Sequence, residues 1–89
     1  MTYRVQLHRR AEKALKKLDQ ATQNRVAPVL LQLREQPRPH GSRKLTNSDN
    51  LWRVRVGDYR IVYTIRDDVL VVLVLEILRR DDRTYKQLP

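Results

Sequence analysis

Apolar and polar residues alternate at the start of the chain, with Tyr3, Val5 and Leu7 on one parity and Thr2, Arg4 and Gln6 on the other. A period of two predicts a half-buried strand. From Arg9 to Asp19 the period changes, and Ala11, Ala14, Leu15 and Leu18 recur at steps of three and four, the buried stripe of a helix. A second helix is expected from about Thr22 to Gln36, with Val26, Leu30 and Leu33 inward and Pro37 and Pro39 ending it. Pro28 lies inside that span, lacks a backbone donor and crowds the preceding turn, so a distortion is expected near Asn24. The stretch "PRPHGS" then reads as a loop, and "NSDN" as a second turn or loop between Leu45 and Leu51.

Alternation returns in "LWRVRVGDYRIVY", Leu51 to Tyr63. Gly57-Asp58, with glycine first, suits a type II′ hairpin turn. That turn pairs Val56 with Tyr59, Arg55 with Arg60, Val54 with Ile61 and Trp52 with Tyr63. Asp67-Asp68 makes the next turn. The run "VLVVLVLEIL" has apolar residues on both parities, as a central strand covered on both faces does. The order is β-α-α-β-β-β. It predicts an α+β fold in which two N-terminal helices pack on one face of a mostly antiparallel four-stranded sheet, with residues 1–89 as a single domain.

Composition narrows the chemistry. The chain has no cysteine, which excludes disulfides and thiolate metal sites and suits a reducing compartment. It contains no apolar run long enough for a transmembrane helix, and "MTYRVQLHRR" lacks the order of a signal peptide, so a cytoplasmic protein with no membrane partner is expected. The formal charge is +9 over 89 residues, which points to a polyanionic partner. Residues 1–42 carry nine basic and three acidic side chains, including Arg9, Arg10, Lys13, Lys16 and Lys17 on the polar face of the first helix. That face is either simply solvated or a surface that docks on phosphates.

In the second half the charge is patterned. The predicted register sets Arg55 opposite Arg60, with Arg53 two residues along on the same face. Like charges opposed on a sheet cost a fraction of ~1 kcal/mol per pair. Arginine grips phosphate at two points and stays charged, so the cluster reads as an anion site; the plainer reading is that the guanidiniums splay into solvent or find Asp58, Asp81 or Asp82. After the last strand come Arg79, Arg80, Arg83, Tyr85 and Lys86, cations around an aromatic ring, as single-stranded nucleic acid requires. Tyr85 is alternatively a packing residue. His8 and His40 are too far apart in sequence to suggest a metal pair, and no paired-carboxylate or nucleophile motif appears. Any chemistry falls to Arg, Lys and Tyr, with no metal and no cofactor.

The segment "KLTNSDNLWRVRVGDYRIVYTIRDDVLVVLVLEILRRDDRTY" resembles the second half of RelE-type toxins of the RelE/ParE superfamily, and the two-helix N-terminal half resembles theirs as well. The resemblance implies a type II toxin–antitoxin toxin, a metal-independent endoribonuclease that cuts messenger RNA in the ribosomal A site. It also implies silencing by a cognate antitoxin with an acidic segment, in a hetero-oligomer. Carried over residue by residue, the family's site falls on Arg53, Arg55, Arg60, Arg80 and Tyr85, of which Arg55, Arg60, Arg80 and Tyr85 are expected to be catalytic; Arg53, together with Arg79, Arg83 and Lys86 of the basic cluster after the last strand, is expected to bind RNA or phosphate. The first-helix face of Arg9, Arg10, Lys13, Lys16 and Lys17 becomes a ribosome-docking surface. Where related toxins often have lysines on the second strand this chain has Arg53 and Arg55, and it has Leu78-Arg79 where a glycine and a histidine or lysine are common. The proton acceptor is then Tyr85 or a ribosomal group. The hairpin string is shared with ParE-like toxins that inhibit DNA gyrase and cut nothing, and this is the alternative.

Overall fold

The computed structural model describes residues 2–46 and 50–79. Strand β1 (Arg4–Leu7) leads into α1 (Arg9–Lys17) and α2 (Gln20–Glu35), followed by β2 (Arg43–Lys44), β3 (Trp52–Val56), β4 (Tyr59–Arg66) and β5 (Val71–Arg79). The strands form one sheet in the order β1-β5-β4-β3-β2. β1 runs parallel to β5, while every other neighbouring pair is antiparallel. The α+β order is as expected, and the sheet gains a fifth strand. Arg43–Lys44 pairs with Arg53 and Trp52, in a stretch too short to show a period.

The helix boundaries differ from expectation for a local reason. Asp19 does not end α1. It caps α2, its Oδ1 accepting a bond from the Thr22 backbone N–H at 3.1 Å. The first helix therefore stops at Lys17 and the second starts at Gln20, two residues before Thr22. His8 caps α1 in the same way, its Nδ1 accepting from Arg10 N–H at 3.1 Å. The expected distortion at Pro28 does not interrupt α2. Pro28 and Asn24 are both exposed, so water can satisfy the Asn24 carbonyl that proline leaves without a donor.

Both helices cover the same face of the sheet. Their inward residues, among them Ala11, Val26 and Leu33, meet Val54, Ile61, Tyr63, Ile65, Val72, Val74 and Ile77 in one core. β5 changes parity within this layer, because Val62 pairs with Glu76 while Tyr63 pairs with Val74, leaving Leu75 as an extra residue. Val72 and Val74 face the helices before the bulge, and Ile77 does so after it. This bulge is one reason apolar residues fill both parities in that run. No helix among the described residues is long and apolar enough to cross a membrane.

Candidate nucleic-acid interface

The hairpin of β3 and β4 builds the site. Gly57 has φ +59 and Asp58 does not share the left-handed region, the geometry of a type II′ turn. All four expected pairs occur: Val56 with Tyr59, Arg55 with Arg60, Val54 with Ile61 and Trp52 with Tyr63. Because Val54, Val56 and Ile61 face the helices, Arg53, Arg55 and Arg60 occupy the helix-free face.

Neighbouring strands extend this set. β2 sets Arg43 directly opposite Arg53, and β5 sets Leu78 opposite Arg60 and Glu76 opposite Val62. Two rows therefore cross the sheet, Arg43-Arg53-Val62-Glu76 and Arg55-Arg60-Leu78. Adjacent members stand about 4.8 Å apart along the hydrogen-bonding direction. Four arginines, Arg43, Arg53, Arg55 and Arg60, therefore occupy neighbouring positions on one face of three adjacent strands. Val62 and Leu78 are buried between them, and so is the Nε of Arg60. A floor of low polarisability strengthens any charge interaction made above it. Arg55 and Arg43 are exposed at the rim.

Two groups here escaped the sequence reading. Arg43 sits on the two-residue strand, whose pairing is visible only in three dimensions. Glu76 reaches the arginine face because the bulge at Leu75 reverses parity. Glu76 lies diagonally from Arg60 across the ladder, so the face is not purely cationic.

The helix side fixes the hairpin from behind. The Arg25 guanidinium folds over the turn so closely that a Cβ on Gly57 would lie 2.8 Å from both Nη atoms. Glycine is thus required for its φ, the exposed Arg25 side chain being free to swing aside, and a further cation arrives at the hairpin tip. The buried Tyr63 hydroxyl donates to the Pro37 carbonyl at 2.8 Å, tying the loop before β2 to the core. Burial pushes this hydroxyl above its ordinary pKa. Arg38 stacks over Trp52 at 5.2 Å and forms a forked pair with Asp67 at 2.9 and 3.3 Å. Tyr3 also donates to Asp67, at 2.6 Å. The Arg38 bond, then the Tyr3 bond, hold the Asp67 carboxyl below its usual range, while the Asp67 bond raises Tyr3.

The remaining expected residues are distributed differently. Arg79 is exposed at the end of β5, opposite Tyr59, whose side chain packs on the core, so its register does not align it with the arginine rows. Arg80, Arg83, Tyr85 and Lys86 lie outside the described residues. Arg9, Arg10, Lys13, Lys16 and Lys17 are all exposed on α1, with Lys16 near Glu12 at 3.6 Å. Since α1 packs on the core face, this second basic surface lies on the opposite side of the sheet from the arginine rows. His8 serves as a helix cap and His40 is exposed in a loop. Among the described residues no group of three or more His, Asp or Glu is placed to hold a metal ion.

Comparison with known proteins agrees with this architecture. A family model described as "ParE toxin of type II toxin-antitoxin system, parDE" matches residues 5–84. RelE1 of Methanocaldococcus jannaschii is 29% identical over 84 residues, covering 91% of this chain and 93% of that one. The RelE-RelB complex of Pyrococcus horikoshii contains a chain similar at 32% identity and a TM-score of 0.81, covering 91% of this chain and 98% of that one. A mutant Escherichia coli toxin RelE in the free state shares the fold at 24% identity and a TM-score of 0.82, covering 98% of this chain and 93% of that one. The chain belongs to the RelE/ParE superfamily of type II toxin–antitoxin toxins, with a RelE-like fold.

Proposed function

We propose that this toxin is a metal-independent endoribonuclease that cuts messenger RNA in the ribosomal A site. The observation that carries the proposal is the pair of arginine rows on the helix-free face. Arg55 and Arg60 are placed in direct register on that face, beside buried Val62 and Leu78. A ribonuclease that uses no metal must neutralise the charge of a pentacoordinate phosphorane with fixed cations, and forked guanidiniums do so.

The RNA 2′-hydroxyl attacks the adjacent phosphorus in line. The new 2′-O–P bond forms as the P–O5′ bond breaks, giving a 2′,3′-cyclic phosphate and a 5′-hydroxyl. The proton lost from the 2′-oxygen passes to a base, and the departing 5′-oxygen acquires one. Arg55, Arg60 and Arg80 act on the phosphorane charge, with Arg43 and Arg53 holding the flanking backbone. Arg79, Arg83 and Lys86 bind RNA. Arginine is a poor base, which leaves the proton to Tyr85 or a ribosomal group. The ribosome supplies the orientation that so small a site lacks. The basic face of α1 docks on ribosomal RNA, on the side of the protein away from the cut. An antitoxin with an acidic segment silences the toxin in a hetero-oligomer, a reading supported by relatives crystallised as RelE-RelB complexes.

The matching family model bears the name of ParE, and this favours a second reading, an inhibitor of DNA gyrase that cleaves nothing. Ribosomes programmed with a defined messenger, beside the same RNA free in solution, separate the two by primer extension. New 5′ ends confined to the A-site codon are expected. No cleavage from a preparation that still arrests growth would overturn the ribonuclease reading in favour of gyrase.

A further inference from the structure

β5 carries a single acidic residue, Glu76, and among the described residues it is the only acid in any strand of the sheet. The bulge decides which face it takes. Tyr63 pairs with Val74, so an unbroken ladder would set Val62 opposite Leu75 and Ile61 opposite Glu76, turning the carboxylate toward the helices. With Leu75 as the extra residue, Glu76 stands opposite Val62 and Ile77 opposite Ile61. One residue thus sends isoleucine to the core and glutamate to the arginine face.

Four side chains make a square on that face. Arg60 faces Leu78 across the ladder and Val62 faces Glu76. Arg60 and the half-buried Glu76 therefore lie on one diagonal, about 7–8 Å apart at the backbone, and buried Val62 and Leu78 on the other. Arg53 stands beyond Val62 in the same row as Glu76. On the other side of β5, β1 ends at Leu7, opposite Val74; His8 follows it, its Nδ1 accepting from Arg10 N–H. α1 packs on the opposite face of the sheet. The ion pairs among the described residues are Lys16 with Glu12, Arg38 with Asp67 and Arg66 with Asp68, and none of them engages Glu76. A carboxylate beside phosphate-binding arginines repels phosphate, so affinity for RNA does not account for it. A carboxylate does accept both the hydrogen bond of a 2′-hydroxyl and its proton.

We propose that Glu76 is a catalytic residue of the cut, the acceptor of the 2′-hydroxyl proton. The inference rests on the ribonuclease reading and deepens it by dividing its two proton transfers. With the scissile phosphate on Arg55 and Arg60, the diagonal of the square sets the ribose 2′-oxygen toward Glu76. The 2′-O–H bond breaks as the 2′-O–P bond forms, and the proton passes to a carboxylate oxygen of Glu76. The P–O5′ bond breaks as Tyr85 or a ribosomal group gives a proton to the 5′-oxygen, the one transfer left to them. Exchange with water afterwards removes the proton from Glu76 and returns one to the donor.

The test is single-turnover cleavage on programmed ribosomes, followed against toxin concentration and pH. Glu76→Gln keeps the side chain's shape and should lower the rate at saturating toxin about 100-fold or more. The toxin concentration that gives half that rate should stay the same or fall, because a repulsive charge has gone. The variant's residual rate should climb about tenfold per pH unit, with hydroxide left as the base, where the parent's does not. In Glu76→Ala, added formate should restore cleavage in proportion to its concentration, beyond any effect of sodium chloride at the same ionic strength. That comparison is made within one sample, so a partly folded preparation does not spoil it. A Glu76→Gln rate within about threefold of the parent overturns the inference and leaves the ribonuclease reading standing. A loss that is equal at every pH, or absence of rescue by formate, overturns it in the same way, making Glu76 a counter-charge that steadies the arginines. No cleavage by the parent chain sinks the ribonuclease reading and this inference together.

Discussion

The direct opposition of Arg55 and Arg60 makes a prediction that separates stability from function. Replacing Arg55→Glu should make the protein more stable and disable it. Guanidiniums that splay to about 8 Å repel by ~0.5 kcal/mol in a medium as polar as water. Reversing one charge turns this into an attraction of similar size, a swing of ~1 kcal/mol. Physiological salt, with a screening length of about 8 Å, reduces that to ~0.4 kcal/mol. Such a gain raises the thermal midpoint of a domain this size by roughly 2–3 °C, and the gain should fade in 1 M salt. Programmed-ribosome cleavage should fall about 100- to 1000-fold, the cost of removing one donor to a transition-state charge. Thermal melts at two salt concentrations and single-turnover cleavage on the same preparation test both halves. A variant that is less stable at low salt refutes the repulsion argument. One that cuts within about threefold of the parent refutes the phosphate clamp.

Tyr63→Phe should destabilise the fold by ~1–2 kcal/mol in urea titration, because the Pro37 carbonyl loses its donor in a buried setting. Gly57→Ala should cost ~1–2 kcal/mol in urea titration, the penalty of a positive φ for alanine, and about the same in the Arg25→Ala background, because the flexible guanidinium can swing away from the new Cβ. The Asp67 carboxyl has a folded pKa below its unfolded value, so its contribution is complete above about pH 4 and is lost as pH falls through the folded value. Acid titration of the melting midpoint should therefore be shallower in Asp67→Asn. Tyr3 has a raised folded pKa, so its contribution is complete below its ordinary value near pH 10 and is lost as pH rises through the folded value.

Most of the fold could be read from the sequence because its signals are local. The hairpin is the clearest case, since a two-residue Gly-Asp turn fixes the register of both strands, and the register alone brings Arg55 to Arg60. Helix ends were harder, because a capping aspartate and a last helical residue look alike until the next turn is seen, as Asp19 illustrates. The non-local features were not readable. Arg43 joins the site through a two-residue strand, and Glu76 through one extra residue in β5. Arg38 stacks over Trp52 and pairs with Asp67, which lies 29 positions from it in sequence, with no periodic trace.

A protein of 89 residues can hold so dense a cluster of cations because each strand of the hairpin works on two faces. On β4, Ile61, Tyr63 and Ile65 enter the core while Arg60 and Thr64 share the other parity with Val62. Burying one such isoleucine gains ~1.5–3 kcal/mol, whereas one opposed arginine pair costs a fraction of ~1 kcal/mol. Ile61 alone more than offsets the repulsion between its neighbour Arg60 and Arg55. The alternation that makes a strand therefore also separates the two demands. Substitutions at the odd positions of β4 should act first on stability, and those at Arg60 first on RNA cleavage. Since one turn sets both parities, a slip by a single residue would exchange them and bury arginine in place of isoleucine. Gly57, held to its positive φ, is the position on which that separation depends.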